Sequence, residues 1–174
     1  QRANGIIAID LEDDDCLVGV DLTDGKQDIM LFSDAGKATR FAEQEVRAVG
    51  RTAKGVRGIK LKDAQRVISL VVVREGGAIL TATENGFGKR TDVADYSRIG
   101  RGGQGVISIQ ISDRNGKAVK ALQVDHGDEI MLISGNGTLV RTRVDEISIV
   151  GRNAQGVKLI NLSEGENLVG MQRI

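Results

Sequence analysis

One loop motif recurs four times in this chain, and that recurrence constrains the fold more than any single residue does. Gly50-Arg51-Thr52-Ala53-Lys54-Gly55-Val56-Arg57-Gly58-Ile59-Lys60-Leu61 returns as Gly100-Arg101-Gly102-Gly103-Gln104-Gly105-Val106-Ile107-Ser108-Ile109-Gln110-Ile111. It returns again as Gly151-Arg152-Asn153-Ala154-Gln155-Gly156-Val157-Lys158-Leu159-Ile160-Asn161-Leu162, and a worn copy runs Arg2-Ala3-Asn4-Gly5-Ile6-Ile7-Ala8-Ile9-Asp10-Leu11. The last glycine of each loop falls at 5, 55, 105 and 156, a period of 50 or 51 residues. Periods of this size mark stacked or radial modules, none of which buries its apolar face alone.

Each complete repeat carries the same local signals. Asp28-Ile29-Met30-Leu31-Phe32-Ser33, a turn at Asp34-Ala35-Gly36 and a return through Lys37-Ala38-Thr39-Arg40-Phe41 read as a hairpin. The second hairpin turns at Glu84-Asn85-Gly86 and the third at Gly135-Asn136-Gly137. Asn-Gly pairs tolerate positive φ at both central turn positions, which this reading expects here. Leu17 to Leu22 reads as the strand that opens the first repeat, and Leu168 to Met171 aligns with it. After each loop, Ile59/Leu61, Ile109/Ile111, Ile160/Leu162 and Ile9/Leu11 alternate with polar residues as a last strand would. The segments 42–49, 92–99 and 143–150 are too short for regular helices.

Four strands per module, with the early ones apolar at nearly every position, fit blades stacked between neighbouring blades. The expected fold is therefore all-β, a propeller-like disc of four-stranded blades. The module boundaries are 1–15 (tail of a preceding blade), 16–66, 67–117, 118–167, and 168–174 as the first strand of a further or closing blade. The two ends either meet in a partial fourth blade or belong to a longer array; the reading favours a fragment of a longer array.

The chain has 24 basic and 24 acidic residues, so bulk charge points to no polyanion. Its distribution does: 16–66 carries ten basic residues against seven acids, and 67–117 seven against five. From Lys37 to Lys62 there are eight basic residues, with Asp34, Glu43 and Glu45 as the neighbouring acids. A face of that kind binds a polyanion even on a neutral molecule. Trp is absent and Phe and Tyr are few, which argues against a base-stacking surface for single strands. Cys16 stands alone, consistent with a reducing cytoplasm; the sequence shows no signal peptide and no apolar run long enough to span a membrane.

The segments Gly19-Val20-Asp21-Leu22-Thr23-Asp24-Gly25, Gly77 to Thr83 with Gly88-Lys89-Arg90-Thr91, and Glu146 to Asn153 resemble the C-terminal domain of bacterial DNA gyrase A. The resemblance covers essentially the whole chain. It implies a β-pinwheel whose blades exchange strands and whose outer rim wraps double-stranded DNA in support of ATP-dependent negative supercoiling. It also implies partners, namely the rest of gyrase A together with gyrase B in an A2B2 complex, a cytoplasmic, nucleoid-associated location, and ATP and Mg2+ sites in other domains. No cofactor is expected in this one. The family's hallmark box, Gln-Arg-Arg-Gly-Gly-Lys-Gly, has its nearest match in Ile99-Gly100-Arg101-Gly102-Gly103-Gln104-Gly105, where only the middle Arg-Gly-Gly and the final Gly agree. That departure puts independent wrapping by this chain in question. The related domain of topoisomerase IV, with degenerate boxes, is a second match.

The candidate DNA contacts follow. Arg51, Arg101 and Arg152 recur in the loops, either as cations for phosphate beside close-approaching glycine backbone or as arginines pinned to a carbonyl or carboxylate; the resemblance favours phosphate. Lys54 adds a charge that Gln104 and Gln155 replace, so contact is expected to weaken towards the C-terminus. Arg40, Arg90 and Arg141 end each hairpin and suit a rim contact or an inter-blade salt bridge equally. Lys37, Lys89, Arg47, Arg57, Lys60 and Lys62 do not recur and together make the basic patch. His126 beside Asp125 and Asp128 lacks further metal ligands and reads as a turn histidine. Cys16 reads as a buried small hydrophobe, Glu12 to Asp15 as a solvated linker, and Tyr96 as non-catalytic. The function expected is non-catalytic binding and bending of duplex DNA, with a protein-interaction scaffold as the alternative.

Overall fold

The computed structural model describes residues 4–174. Arg2 and Ala3 of the worn loop copy lie outside the described residues. The strands are β1 (Asp28–Ser33), β2 (Lys37–Ala42), β3 (Val67–Val73), β4 (Ala78–Thr83), β5 (Phe87–Asp92), β6 (Val106–Ile107), β7 (Ala118–Val124), β8 (Glu129–Ser134), β9 (Leu139–Arg143), β10 (Val157–Lys158) and β11 (Leu168–Arg173). They form a first sheet ordered β3-β1-β2-β6, a second ordered β10-β5-β4-β7 and a third ordered β11-β8-β9.

The three hairpins are the predicted ones. In each, the glycine N–H donates back across the turn at 3.0 Å, Gly36 to Ser33, Gly86 to Thr83 and Gly137 to Ser134. Only the glycine is left-handed, with φ of 72°, 80° and 85°. Asn85 and Asn136 keep negative φ, contrary to the two-residue turn expected from Asn-Gly. A three-residue loop ending in one left-handed glycine matches strand twist without requiring it of Asn.

The sheets are not the sequence modules. Each four-stranded sheet takes its hairpin from one repeat and both edge strands from the next: β3 and β6 of 67–117 flank the hairpin of 16–66, and β7 and β10 of 118–167 flank the hairpin of 67–117. The boundaries 16–66, 67–117 and 118–167 therefore mark the period rather than folding units. β11 pairs with β8 from Leu168↔Ser134 to Arg173↔Ile130, so it lies at the edge of the third sheet rather than starting a further or closing one.

The same pattern explains two departures from expectation. Residues 17–22 align with β3, β7 and β11, each of which pairs with the preceding repeat's hairpin, and no such hairpin precedes them within this sequence. They form no ladder, leaving Leu17, Val20 and Leu22 59%, 78% and 90% exposed. Cys16, expected to be buried, is exposed in this segment. The loop-borne strands β6 and β10 are also only two residues long and start at the valine, and the 50–61 loop forms none; Ile59, Ile109 and Ile160 are buried outside any ladder, with the Ile109 and Ile160 N–H groups donating to the Gly36 and Gly86 carbonyls at 3.2 and 3.3 Å. Each polar connector after a hairpin begins as one 3-10 turn, at Glu43–Glu45, Val93–Asp95 and Val144–Glu146.

Sheets stack face to face through two apolar clusters. Met30, Phe32, Val71, Ile79 and Tyr96 fill the space between the first and second sheets, and Leu80, Val124, Ile130, Leu132 and Ile147 that between the second and third. β4 is buried at all six positions because it faces both clusters. β3, β7 and β11 neighbour one another and form the inner side, which leaves β6 and β10 at the outer edges.

Candidate nucleic-acid interface

The outer edges are built where a loop of one repeat docks on the hairpin of the one before. Val106 pairs with Ala38, and Val157 with Gly88. The approach is close enough that a Cβ on Gly105 or Gly156 would lie 2.5 Å from the Ala38 or Gly88 carbonyl oxygen, and both glycines have positive φ. These glycines serve strand docking, so the reading that they bring backbone N–H groups to phosphate does not hold for them.

The recurring loop arginines perform one task in all three copies. Arg51 donates to the Ile7 carbonyl at 3.2 Å, Arg101 to Arg57 at 2.7 Å, and Arg152 to Ile107 at 3.0 Å. The acceptors sit one period apart, so each arginine ties its loop to the loop before it. Arg101 is further held by the Glu45 carbonyl at 3.2 Å. Each guanidinium is thus tied to a backbone carbonyl, while the Arg51 side chain stays exposed.

The hairpin arginines divide. Arg40 bonds Asp28 at 2.7 Å and reaches the Val93 and Tyr96 carbonyls at 3.1 and 2.9 Å, across to the next repeat. Burial alone would raise the Asp28 carboxyl, but hydrogen bonds from Arg40 and Arg98 outweigh it and hold it below the usual range. Arg90 likewise donates to the Ile147 carbonyl at 2.7 Å. Arg141 meets no further connector among the described residues and pairs with Glu129.

Lys89 is a correction. Its side chain is buried, and Nζ donates to Thr91 Oγ1 at 3.0 Å and to the Gly151 and Arg152 carbonyls at 2.7 and 2.9 Å. Burial, with Arg152 nearby, pushes its amino group down to about 8. A cation so enclosed fastens the 151–158 loop and cannot meet a phosphate. Lys54 bonds Glu12 at 2.7 Å, both exposed, and that bond lowers the Glu12 carboxyl.

The irregular set faces outward, as do Arg51 and Lys54. Arg47, Arg57, Lys60 and Lys62 are exposed and Lys37 half-buried, with no side-chain ion pair among the described residues. Arg114 and Lys158, which the sequence reading did not single out, are exposed as well. The other singled-out residues have structural partners. His126 bonds Asp145 at 2.9 Å and lowers its carboxyl. The Tyr96 hydroxyl is within 2.8 Å of Ser108 Oγ, and burial raises its pKa. No group of three or more His, Cys, Asp or Glu side chains among the described residues is arranged to hold a metal.

The family model described as DNA gyrase C-terminal domain, beta-propeller, matches residues 1–24, 27–74, 78–125 and 128–174. The chain belongs to the DNA gyrase A C-terminal domain family. It is 59% identical over 173 residues to DNA gyrase A of Salmonella typhimurium and 58% identical to that of Escherichia coli K12, covering 99% of this chain and 20% of each relative. A solved gyrase A C-terminal domain superposes with a TM-score of 0.90 at 30% identity, covering 98% of this chain and 58% of that one. The C-terminal domain of DNA topoisomerase IV also superposes at 0.90, with 25% identity, 96% coverage of this chain and 52% of the other. The described fold is thus that of the family's beta-propeller. The chain spans one fifth of the length of the gyrase A proteins it matches. No helix among the described residues is long and apolar enough to cross a membrane.

Proposed function

We propose that this chain is a non-catalytic module that binds double-stranded DNA along the outer edges of its sheets and bends it, in support of ATP-dependent negative supercoiling by a gyrase. One observation carries the reading: within a gyrase-family fold, the irregular cations Lys37, Arg47, Arg57, Lys60 and Lys62 are left without carboxylate partners on one loop-and-hairpin region. In this reading the module works in the cytoplasm on nucleoid DNA, joined to the rest of gyrase A and to gyrase B in an A2B2 complex. The ATP and Mg2+ sites lie elsewhere in that complex, and this module holds no cofactor.

The mechanism is electrostatic. Each phosphate neutralised releases counterions, giving a salt slope of roughly −0.9 per contact. Bending a 20–30 base-pair site smoothly through 40–90° costs on the order of 1–6 kcal/mol, so several contacts must act together. Few side chains face outward in a way that suits reading base edges, and flexible sequences are favoured over a fixed site.

A salt titration of binding to a labelled duplex of about 40 base pairs, with end-to-end energy transfer read in the same samples, tests this. Steeply salt-dependent binding with the ends drawn together is the expected result. Binding without bending removes the bending role, and no binding at low salt supports the scaffold alternative instead.

A further inference from the structure

The outer edge of the second sheet carries a cluster that the other two sheets lack. Phe87, the first residue of β5, pairs with Lys158 of β10. Lys158 Nζ lies 5.5 Å from the Phe87 ring centroid, and the Arg114 guanidinium lies 4.4 Å from it. Two elements far apart in sequence thus place two exposed cations on one ring, and neither is ion-paired with a carboxylate among the described residues.

The arrangement is held in place from beneath. Asn85 Nδ2 donates to the Asp113 and Arg114 carbonyls at 3.2 Å each, and the Asn85 N–H to Asn115 at 3.2 Å. Asn115 is fully buried and donates to the Gln110 and Gln155 carbonyls at 2.8 and 3.0 Å. The backbone beside Arg114 is therefore fixed to both the hairpin turn and the neighbouring loop before any ligand arrives. A ring face holds a guanidinium without neutralising it and leaves its N–H edge directed outward.

One period away, the corner is different. The first sheet has Lys37, Ala64 and Ile107 in place of Phe87, Arg114 and Lys158, and the third has Thr138 and Gly165 with no loop strand. This corner therefore presents one cation on the first sheet, two on the second and none on the third.

We propose that Arg114, Phe87 and Lys158 form an anchor for the phosphate backbone of duplex DNA on the second sheet, so that contact at this corner is greatest there and does not decline steadily along the chain. The inference rests on the duplex-binding reading above. The two cations supply the charge, a guanidinium fork for phosphate oxygens and an ammonium beside it, and Phe87 holds both in position.

The sequence has no tryptophan, so Phe87→Trp creates a single fluorescent reporter at the anchor while keeping an aromatic ring. Duplex titration is expected to change its emission saturably, with the change reversed by salt. Arg114→Gln/Lys158→Gln is expected to weaken duplex binding about tenfold or more and to flatten the salt slope by about 2, while Arg141→Gln/Arg143→Gln on the third sheet leaves the slope unchanged. Wild-type protein that binds duplex with an unchanged slope in the Arg114→Gln/Lys158→Gln variant and unchanged Trp emission would overturn the anchor alone. Wild-type protein that binds no duplex would overturn the anchor together with the reading it rests on.

Discussion

The second and third sheets share one hairpin design but differ in what lies beside it. The return strand β5 is covered by β10, and there Lys89 is buried and the Arg90 side chain only 12% exposed. Among the described residues the return strand β9 has no strand on its outer side; the equivalent residues are Val140 and an Arg141 side chain 64% exposed. The same arginine position is thus a fastener where the next loop docks and a surface ion where none does. In this strand-exchanging repeat Arg40, Arg90, Arg101 and Arg152 bond the neighbouring module, whereas Lys37, Arg47, Arg57, Lys60 and Lys62 form no ion pair among the described residues.

That contrast is most severely tested at the docking glycines. Gly156→Ala places a Cβ 2.5 Å from the Gly88 oxygen in a left-handed backbone, and is expected to cost about 3 kcal/mol or more in urea unfolding. Gly55→Ala has similar φ but no atom within 4 Å, and only the backbone preference of about 1–2 kcal/mol is expected. Equal losses would mean that docking contributes nothing beyond backbone preference.

The arginines come next. Arg90→Met leaves the Ile147 carbonyl without its donor and is expected to cost about 1.5–3 kcal/mol, as befits a hydrogen bond from a charged group. Arg141→Met removes an exposed pair and is expected to cost about 0–1 kcal/mol. The comparison fails if the two variants unfold alike.

Lys89 provides a smaller effect with a definite sign. Its folded amino group titrates near 8, below the 10.5 of an ordinary lysine, so between those values the unfolded chain binds more protons than the folded one. Stability contributed by this residue therefore rises with pH across that window and is flat below it. The unfolding free energy of wild type minus that of Lys89→Met should climb from about pH 8 to about pH 10.5. A flat difference would place the ammonium outside the enclosure.

Much of the fold was legible because periodicity is a long-range signal. The hairpins at 28–42, 78–92 and 129–143 and the glycines at 105 and 156 follow from turn chemistry and spacing alone. Strand assignment to particular sheets was not legible, since a sequence period does not say which neighbour supplies an edge; residues 17–22 read as a strand but lack their hairpin within this sequence. Which of the candidate cations face water was not legible. Arg101, Arg152 and Lys89 looked like surface cations, but whether a lysine faces water or the Gly151 and Arg152 carbonyls depends on a loop 62 and 63 residues away. Arg114 and Lys158 meet only through Phe87, a coincidence of three segments with no local signature.

The most direct measurement compares two sets of substitutions for both unfolding midpoint and the salt slope of duplex binding. Arg101→Gln/Arg152→Gln should lower the urea midpoint and leave the slope unchanged. Arg57→Gln/Lys60→Gln/Lys62→Gln should leave the midpoint unchanged and flatten the slope by about 2–3. Loss of slope in the recurring pair, with none in the irregular triple, would contradict the division of the cations into fasteners and contacts.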